Sequence, residues 1–286
     1  MTWRSVFQTI LFFSAVLGGR SPAAELKSQD LLHQARAAFE RGKGGEAVAL
    51  ATKAIEAEPK NYRGYVFRAQ LHVGLKQHVQ AIDDFTRVLD LEPKLAEAYQ
   101  HRGSEQFKLG HINESIADFD KYLELVPSQA PQHWQRGISL YYAGRFEDGR
   151  KQFESHQTVN PSDVENAVWH FLCVARSAGL DKARASLIPI QGDTRAPMME
   201  IHALFAGKAK PEDVLAAAKS GDQRIGFMER KFFYAHLYLG LYYEAIGDAK
   251  LAREHIFQAA EKSGDNDYMG DVARIHAELL RQQDKR

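Results

Sequence analysis

Four prolines, Pro59, Pro93, Pro127 and Pro161, stand 34 residues apart. No other feature constrains the fold as much. A chain that repeats at a fixed spacing builds one supersecondary unit again and again, and each unit buries its apolar face against the next. With the prolines set as position 32, the other columns fall into register. Position 8 is small (Ala35, Ala69, Gly103, Gly137), and so is position 20 (Ala47, Ala81, Ser115, Gly149). Position 24 is mostly large: Ala51, Phe85, Phe119 and Phe153. A turn glycine recurs near position 15 as Gly42, Gly110 and Gly144, while the second copy has Lys76 there and Gly74 nearby. Small residues opposite large ones, a tight turn, and a proline that stops the second helix describe an antiparallel helix pair.

That pattern resembles the tetratricopeptide repeat family, whose 34-residue unit is such a hairpin. The repeats are expected over about 28–61, 62–95, 96–129 and 130–163, within residues 25–161. A fifth copy lacks the proline: Leu239, Gly240, Tyr243, Gly247, Ala252, Ile256 and Ala259 match the consensus columns within 231–264, and Gly264 stands at the proline position. Residues 162–230 still read as helices but leave the period. PSDVENAVWHFLCVARSAG begins with proline and aspartate and ends in glycine, LIPIQGDTRAP (187–197) is a loop, and KPEDVLAAAKSG is a short helix. The C-terminal DYMGDVARIHAELLRQQ is amphipathic, and residues 265–286 are expected to cap the stack. The expected fold is all-α: a right-handed superhelical solenoid of helix hairpins with irregular helices in the middle and a C-terminal capping helix.

Position 7 is arginine in three copies, Arg68, Arg102 and Arg136. An aspartate follows 16 residues after the first two, Asp84 and Asp118, which places it on the second helix of the same hairpin. A partly buried charge needs such a partner, so Arg68–Asp84 and Arg102–Asp118 are expected to pair. The fourth copy has Gln152 instead, which leaves Arg136 without an acidic partner and a candidate for binding something else.

The first helix of each repeat lines the concave side of such a stack, and family geometry puts positions 2, 5, 9 and 12 there. The expected partner-binding surface is Leu32, Arg36 and Phe39; Arg63, Val66, Gln70 and Val73; Gln100, Ser104 and Phe107; and Trp134, Ile138 and Tyr141. It becomes apolar and aromatic toward the fourth repeat, as a protein–protein hot spot does. It lacks the ordered lysines and asparagines that clamp a peptide carboxylate in some relatives. Three occupants remain open for it: an external protein segment, the second half of this chain, or a second copy.

Residues 1–24 differ from the rest. Arg4 precedes an uncharged run from Ser5 to Gly19, and Ser21 and Ala23 have signal-peptidase spacing. A secretory signal peptide cleaved after Ala23 or Ala24, and hence an exported periplasmic or secreted protein without a lipid anchor, is the expectation. Retention of the run as an anchor is the alternative. Lys+Arg and Asp+Glu are both 37, so no basic face points to nucleic acid. Cys173 is the sole cysteine, which excludes an intrachain disulfide and a multi-cysteine metal site.

The stretch RGISLYYAGRFEDGRKQFESHQTVNPSDVENAVWHFLCVAR, with IHALFAGKAKPEDVL and FYAHLYLGLYYEAIGDAKLAREHIFQAA, is similar to the NlpI-like bacterial envelope repeat proteins over about residues 65–280. That resemblance implies a homodimeric adaptor bringing peptidoglycan hydrolases together with a protease. No catalytic motif is present, and no catalytic residue, metal or cofactor is expected: Gly207-Lys208 lacks the rest of a phosphate loop. His170 and Cys173, three apart, read as core rather than as metal ligands, and His72 and His156 as packing. The expected role is a non-catalytic scaffold. The alternatives are an enzyme with a site in 162–230, where Asp163, Glu165, His170, Asp193 and Arg195 are the available polar groups, and a self-associating structural protein.

Overall fold

The computed structural model describes residues 22–221, 224–263 and 267–283. Most of the proposed signal peptide and Gly264 lie outside the described residues. Those residues contain helices and turns and no strand. The chain divides between Leu125 and Val126 into two compact units.

The first unit is three helix hairpins: α1 (Pro22–Glu40) with α2 (Gly44–Ala57), α3 (Tyr62–Gly74) with α4 (His78–Leu91), and α5 (Ala96–Lys108) with α6 (Ile112–Leu125). The 34-residue columns explain their packing. Ala35, Ala38, Ala47 and Ala51 form one cluster with Phe67 and Leu71 of the next hairpin, and Ala69, Ala81, Phe85 and Val88 form another that reaches Ala98. At Gly103 a methyl group would come within 3.0 Å of the Phe119 ring, so the small residue is what lets the two helices approach. The turns differ as the sequence suggests. Gly42 and Gly110 take left-handed φ of 76°, and in the second hairpin Lys76 itself takes φ 58° while Gly74 stays helical.

The arginine at position 7 staples the hairpins. Arg68 donates from Nε to Asp84 Oδ2 at 2.8 Å and from Nη2 to Oδ1 at 2.6 Å. Arg102 repeats this with Asp118, at 2.7 Å in both bonds. The remaining Nη1 reaches back to the preceding hairpin, to Thr52 Oγ1 at 2.9 Å and to Thr86 Oγ1 at 3.0 Å. The hydrogen bonds to Asp84 and Asp118 raise both guanidinium pKa values against the opposing effect of burial. Two further contacts keep the period: Tyr65 and Tyr99 hydroxyls donate to the carbonyls of Pro59 and Pro93.

The second unit starts with a short 3-10 helix (Pro127–Gln132) and the hairpin α7 (Trp134–Tyr142) with α8 (Phe146–Gln157). The irregular helices follow: α9 (Val164–Ala178), α10 (Leu180–Ala185), α11 (Met198–Phe205) and α12 (Pro211–Lys219). Then come the hairpin α13 (Ile225–Ile246) with α14 (Ala249–Lys262), and α15 (Tyr268–Gln283). Helix α9 is the centre. Asp163 caps it by accepting from the Glu165 amide at 3.0 Å, and Val164, Asn166–Val174 are all buried against α8, α10, α11 and α13. The repeat rule persists in both hairpins of this unit. A methyl at Gly137 would come within 2.7 Å of Phe153, and one at Gly240 within 2.7 Å of Ile256.

The expectation for Arg136 needs correction. Its Nη1 donates to Gln152 Oε1 at 3.2 Å, so the amide takes the place of the aspartate. Gln152 in turn donates to the Ala130 carbonyl at 2.7 Å.

Candidate partner-binding surface

In the first unit the first-helix positions split by depth. Val66 and Phe107 are buried in the hairpin packing and present no surface. Position 5 or 12 turns inward wherever a large side chain meets the facing helix, which family geometry alone does not resolve. Leu32 and Phe39 are half-buried against the first core cluster, and Val73 against the second. Arg36 and Arg63 are exposed, and Gln70, Gln100 and Ser104 are half-buried. Arg36 also lies over the Phe67 ring, 5.9 Å from its centroid. The surface offered by these three hairpins is therefore polar with apolar patches, and not the aromatic one expected further along.

At the fourth repeat the chain's own helices take the same positions. Ile138 and Tyr141 are buried, with Tyr141 edge-on to Trp169 at 5.3 Å. Trp134 is edge-on to Tyr268 of α15 at 5.0 Å. The Tyr142 hydroxyl and His276 Nδ1 are 3.0 Å apart. Helix α15 thus runs along helix α7 from Trp134 at its start to Tyr142 at its end. A cavity of about 200 Å³ remains between them, lined by Tyr141, Tyr142, Phe146, Arg176, Glu244, His276 and Leu280 among others. Glu244 is held between Arg176 Nη1 (3.2 Å) and His276 Nε2 (3.1 Å). Burial would raise its pKa, but His276 and Arg176 outweigh this and hold it below the ordinary carboxylate value.

Four of the five polar groups singled out in 162–230 converge. Arg195 donates from Nε and Nη2 to Asp193 (2.9 and 2.6 Å), from Nη2 to Asp163 Oδ1 (2.8 Å) and from Nη1 to Glu165 Oε1 (2.5 Å). The Tyr238 hydroxyl donates to Glu165 Oε2 at 2.6 Å. Burial pushes the Glu165 carboxyl up to about 7 against the charge of Arg195, and Asp163 adds to the rise. Every member of this cluster is engaged by another member. Its geometry fastens the 187–197 loop onto the start of α9. The Thr52 and Thr86 contacts and the Tyr238–Glu165 bond were missed by sequence reasoning. The first had a signal, since both threonines precede an arginine by 16 residues. The second spans 73 residues and had none.

His170 stands apart from that cluster. Its Nε2 lies 3.4 Å from Glu154, and burial lowers its pKa. Cys173 is fully buried, and burial pushes its thiol up to about 12. Among the described residues no group of three or more His, Cys, Asp or Glu side chains is placed to hold a metal ion, and no helix is long and apolar enough to cross a membrane.

The tetratricopeptide repeat family model matches residues 32–96, and a second tetratricopeptide repeat model matches 96–129. No curated protein matches the chain. A tetratricopeptide repeat protein from Parabacteroides merdae is similar in structure, with TM-score 0.59 and 14% identity over 90% of this chain and 99% of that one. A MamA protein is similar with TM-score 0.53 and 15% identity over 64% of this chain and 93% of its own. MamA from Desulfovibrio magneticus has TM-score 0.51 and 15% identity over 56% and 90%. At these identities the likeness is one of fold, that of tetratricopeptide solenoids.

Proposed function

Because residues 32–129 are tetratricopeptide repeats, which present surfaces to other proteins, we propose that the chain is a non-catalytic adaptor. It receives a segment of a partner protein on the first-helix face of the first three hairpins. The observation that supports this is the contrast in cover. Arg36, Arg63, Gln70, Gln100 and Ser104 keep exposed or half-exposed side chains, while the corresponding positions of the fourth repeat are taken by the chain's own helices. Arg36 and Arg63 suit an acidic segment, and Leu32, Phe39 and Val73 suit an apolar anchor within it.

The finer reading rests on the sequence. The leader-like residues 1–24 support export, and the likeness to NlpI-like proteins supports peptidoglycan hydrolases or a protease as partners, with a homodimer as the acting form. The enzyme reading has one observation in its favour, the convergence of Asp163, Glu165 and Asp193 on Arg195.

Affinity capture from the native envelope fraction tests the proposal. The full chain is compared with an Arg36→Glu, Arg63→Glu variant whose fold is checked by circular dichroism. Enrichment of a hydrolase or protease by the natural chain, lost in the variant, is the expected result. Equal enrichment by both moves the site elsewhere, and a partner kept by a Trp134→Ala chain but lost by the double variant separates the first three hairpins from the fourth.

A further inference from the structure

Helix α13 outruns its hairpin partner. It has 22 residues against 14 in α14, so its N-terminal turns extend past the end of the pair. Arg224 to Phe227, Glu229 and Arg230 are all exposed there. Ile225 is 76% exposed and Phe227 55%, two large apolar side chains standing in water at one helix end. The same stretch of chain carries an excess of cations. Between residues 219 and 231 the sequence holds Lys219, Arg224, Arg230 and Lys231 against Asp222 and Glu229, an excess of two in a chain whose total is balanced. The Arg224 guanidinium lies over the Phe227 ring at 4.3 Å, and Arg230 over Tyr234 at 5.7 Å. Lys231 donates to the Ser220 carbonyl, which ties the end of α12, with Lys219, to the same place.

We propose that this end of the second unit docks on an anionic lipid surface. Ile225 and Phe227 enter the boundary between headgroups and acyl chains, and Lys219, Arg224 and Arg230 lie at the level of the lipid phosphates. Two side chains offer far less than the roughly 800 Å² per partner of a standard protein interface. A bilayer needs no complementary shape, so a small apolar tip with a cationic collar is enough for reversible attachment. A second copy of the chain is the other occupant, and the lipid-free measurement below distinguishes it.

The test uses the full chain with Phe227→Cys carrying an environment-sensitive fluorophore; the buried Cys173 stays unlabelled. Val79→Cys, at an exposed position of the first unit, is the control. Vesicles are phosphatidylcholine alone, or phosphatidylcholine with about 30% phosphatidylglycerol as the anionic surface. A brightened, blue-shifted emission at position 227 with anionic vesicles, and little change at 79, is the expected result. Adding Arg224→Gln and Arg230→Gln should weaken the titration about 30-fold, the equivalent of about 1 kcal/mol for each charge. No response at 227, an equal response to both vesicle types, or an equal response at 79 overturns the proposal. So does a response that rises with protein concentration in the absence of lipid, which assigns the tip to self-association.

Discussion

In residues 22–125 each arginine at position 7 grips an aspartate of its own hairpin and a threonine of the one before, and in residues 126–283 the arginine at the same position meets an amide. The cores differ in the same way. The first unit repeats one contact set at a period of 34, each hairpin resting on its neighbour. The second is organised around α9 and α13, whose buried residues meet partners far away in sequence, as Tyr238 and Glu165 do across 73 residues. A periodic unit can rely on charged staples because each copy brings both partners. The second unit joins burial of large side chains such as Trp169, Phe171 and Phe205 to a charged cluster, Arg195 with Asp163, Glu165 and Asp193, that does not recur along the chain.

The comparison breaks first at Asp118. Asp118→Ala strands a half-buried guanidinium and should cost about 3–5 kcal/mol in the first unit. Replacing Arg102 and Asp118 together by leucine should restore most of it. Urea unfolding with hydrogen exchange resolved to 22–125 reads both, and a loss below about 1 kcal/mol for the single change would remove the staple from the account.

The second unit carries an acid-sensitive histidine pair. His236 and His255 face each other with Nδ1 atoms 2.9 Å apart between α13 and α14. Burial, then the neighbouring His255 and Lys262, lowers His236 to about 4. A base with a depressed folded pKa contributes stability that is complete above its unfolded value and is lost as pH falls through the folded one. Stability should therefore drop as pH falls between about 6.5 and 4. His236→Phe should flatten that slope, and a melting series with the same slope in both proteins would assign it to other groups.

Glu165 runs the opposite way. An acid whose folded pKa is raised binds its proton more tightly when folded, so its contribution declines as pH rises from the unfolded value toward about 7. Glu165→Gln keeps an acceptor for Tyr238 and should raise stability by about 1–2 kcal/mol at pH 8, with little effect at pH 4. Lower stability at pH 8 would mean that the bond to Arg195 outweighs the burial cost. The smallest effect is expected at Gln152. Gln152→Ala removes a neutral acceptor from Arg136 and should cost about 1 kcal/mol, well under Asp118→Ala, and an equal cost would erase the contrast between the two arginines.

The helix pairs, their turns and the Arg68–Asp84 and Arg102–Asp118 bonds were legible because they are local and recur. The loop at 187–197 and the starts of α9 and α12 were legible from aspartate, proline and glycine. The first-helix positions expected to face a partner were legible only as a face. Which of them lie at the surface depends on what packs over them, and Ile138, Tyr141 and Trp134 are covered by helices that no period predicts.

By itself, then, the amino-acid order determined the hairpin, its repeat and its internal charge pairs, since each of these is settled by residues within one or two repeat lengths. Tertiary structure alone decided that α15 lies on the fourth repeat, that Arg195 gathers Asp163, Glu165 and Asp193, and that the end of α13 is left bare. Those outcomes depend on which apolar faces find each other across long stretches of chain. Burial is non-directional and carries no spacing rule that could be read in advance.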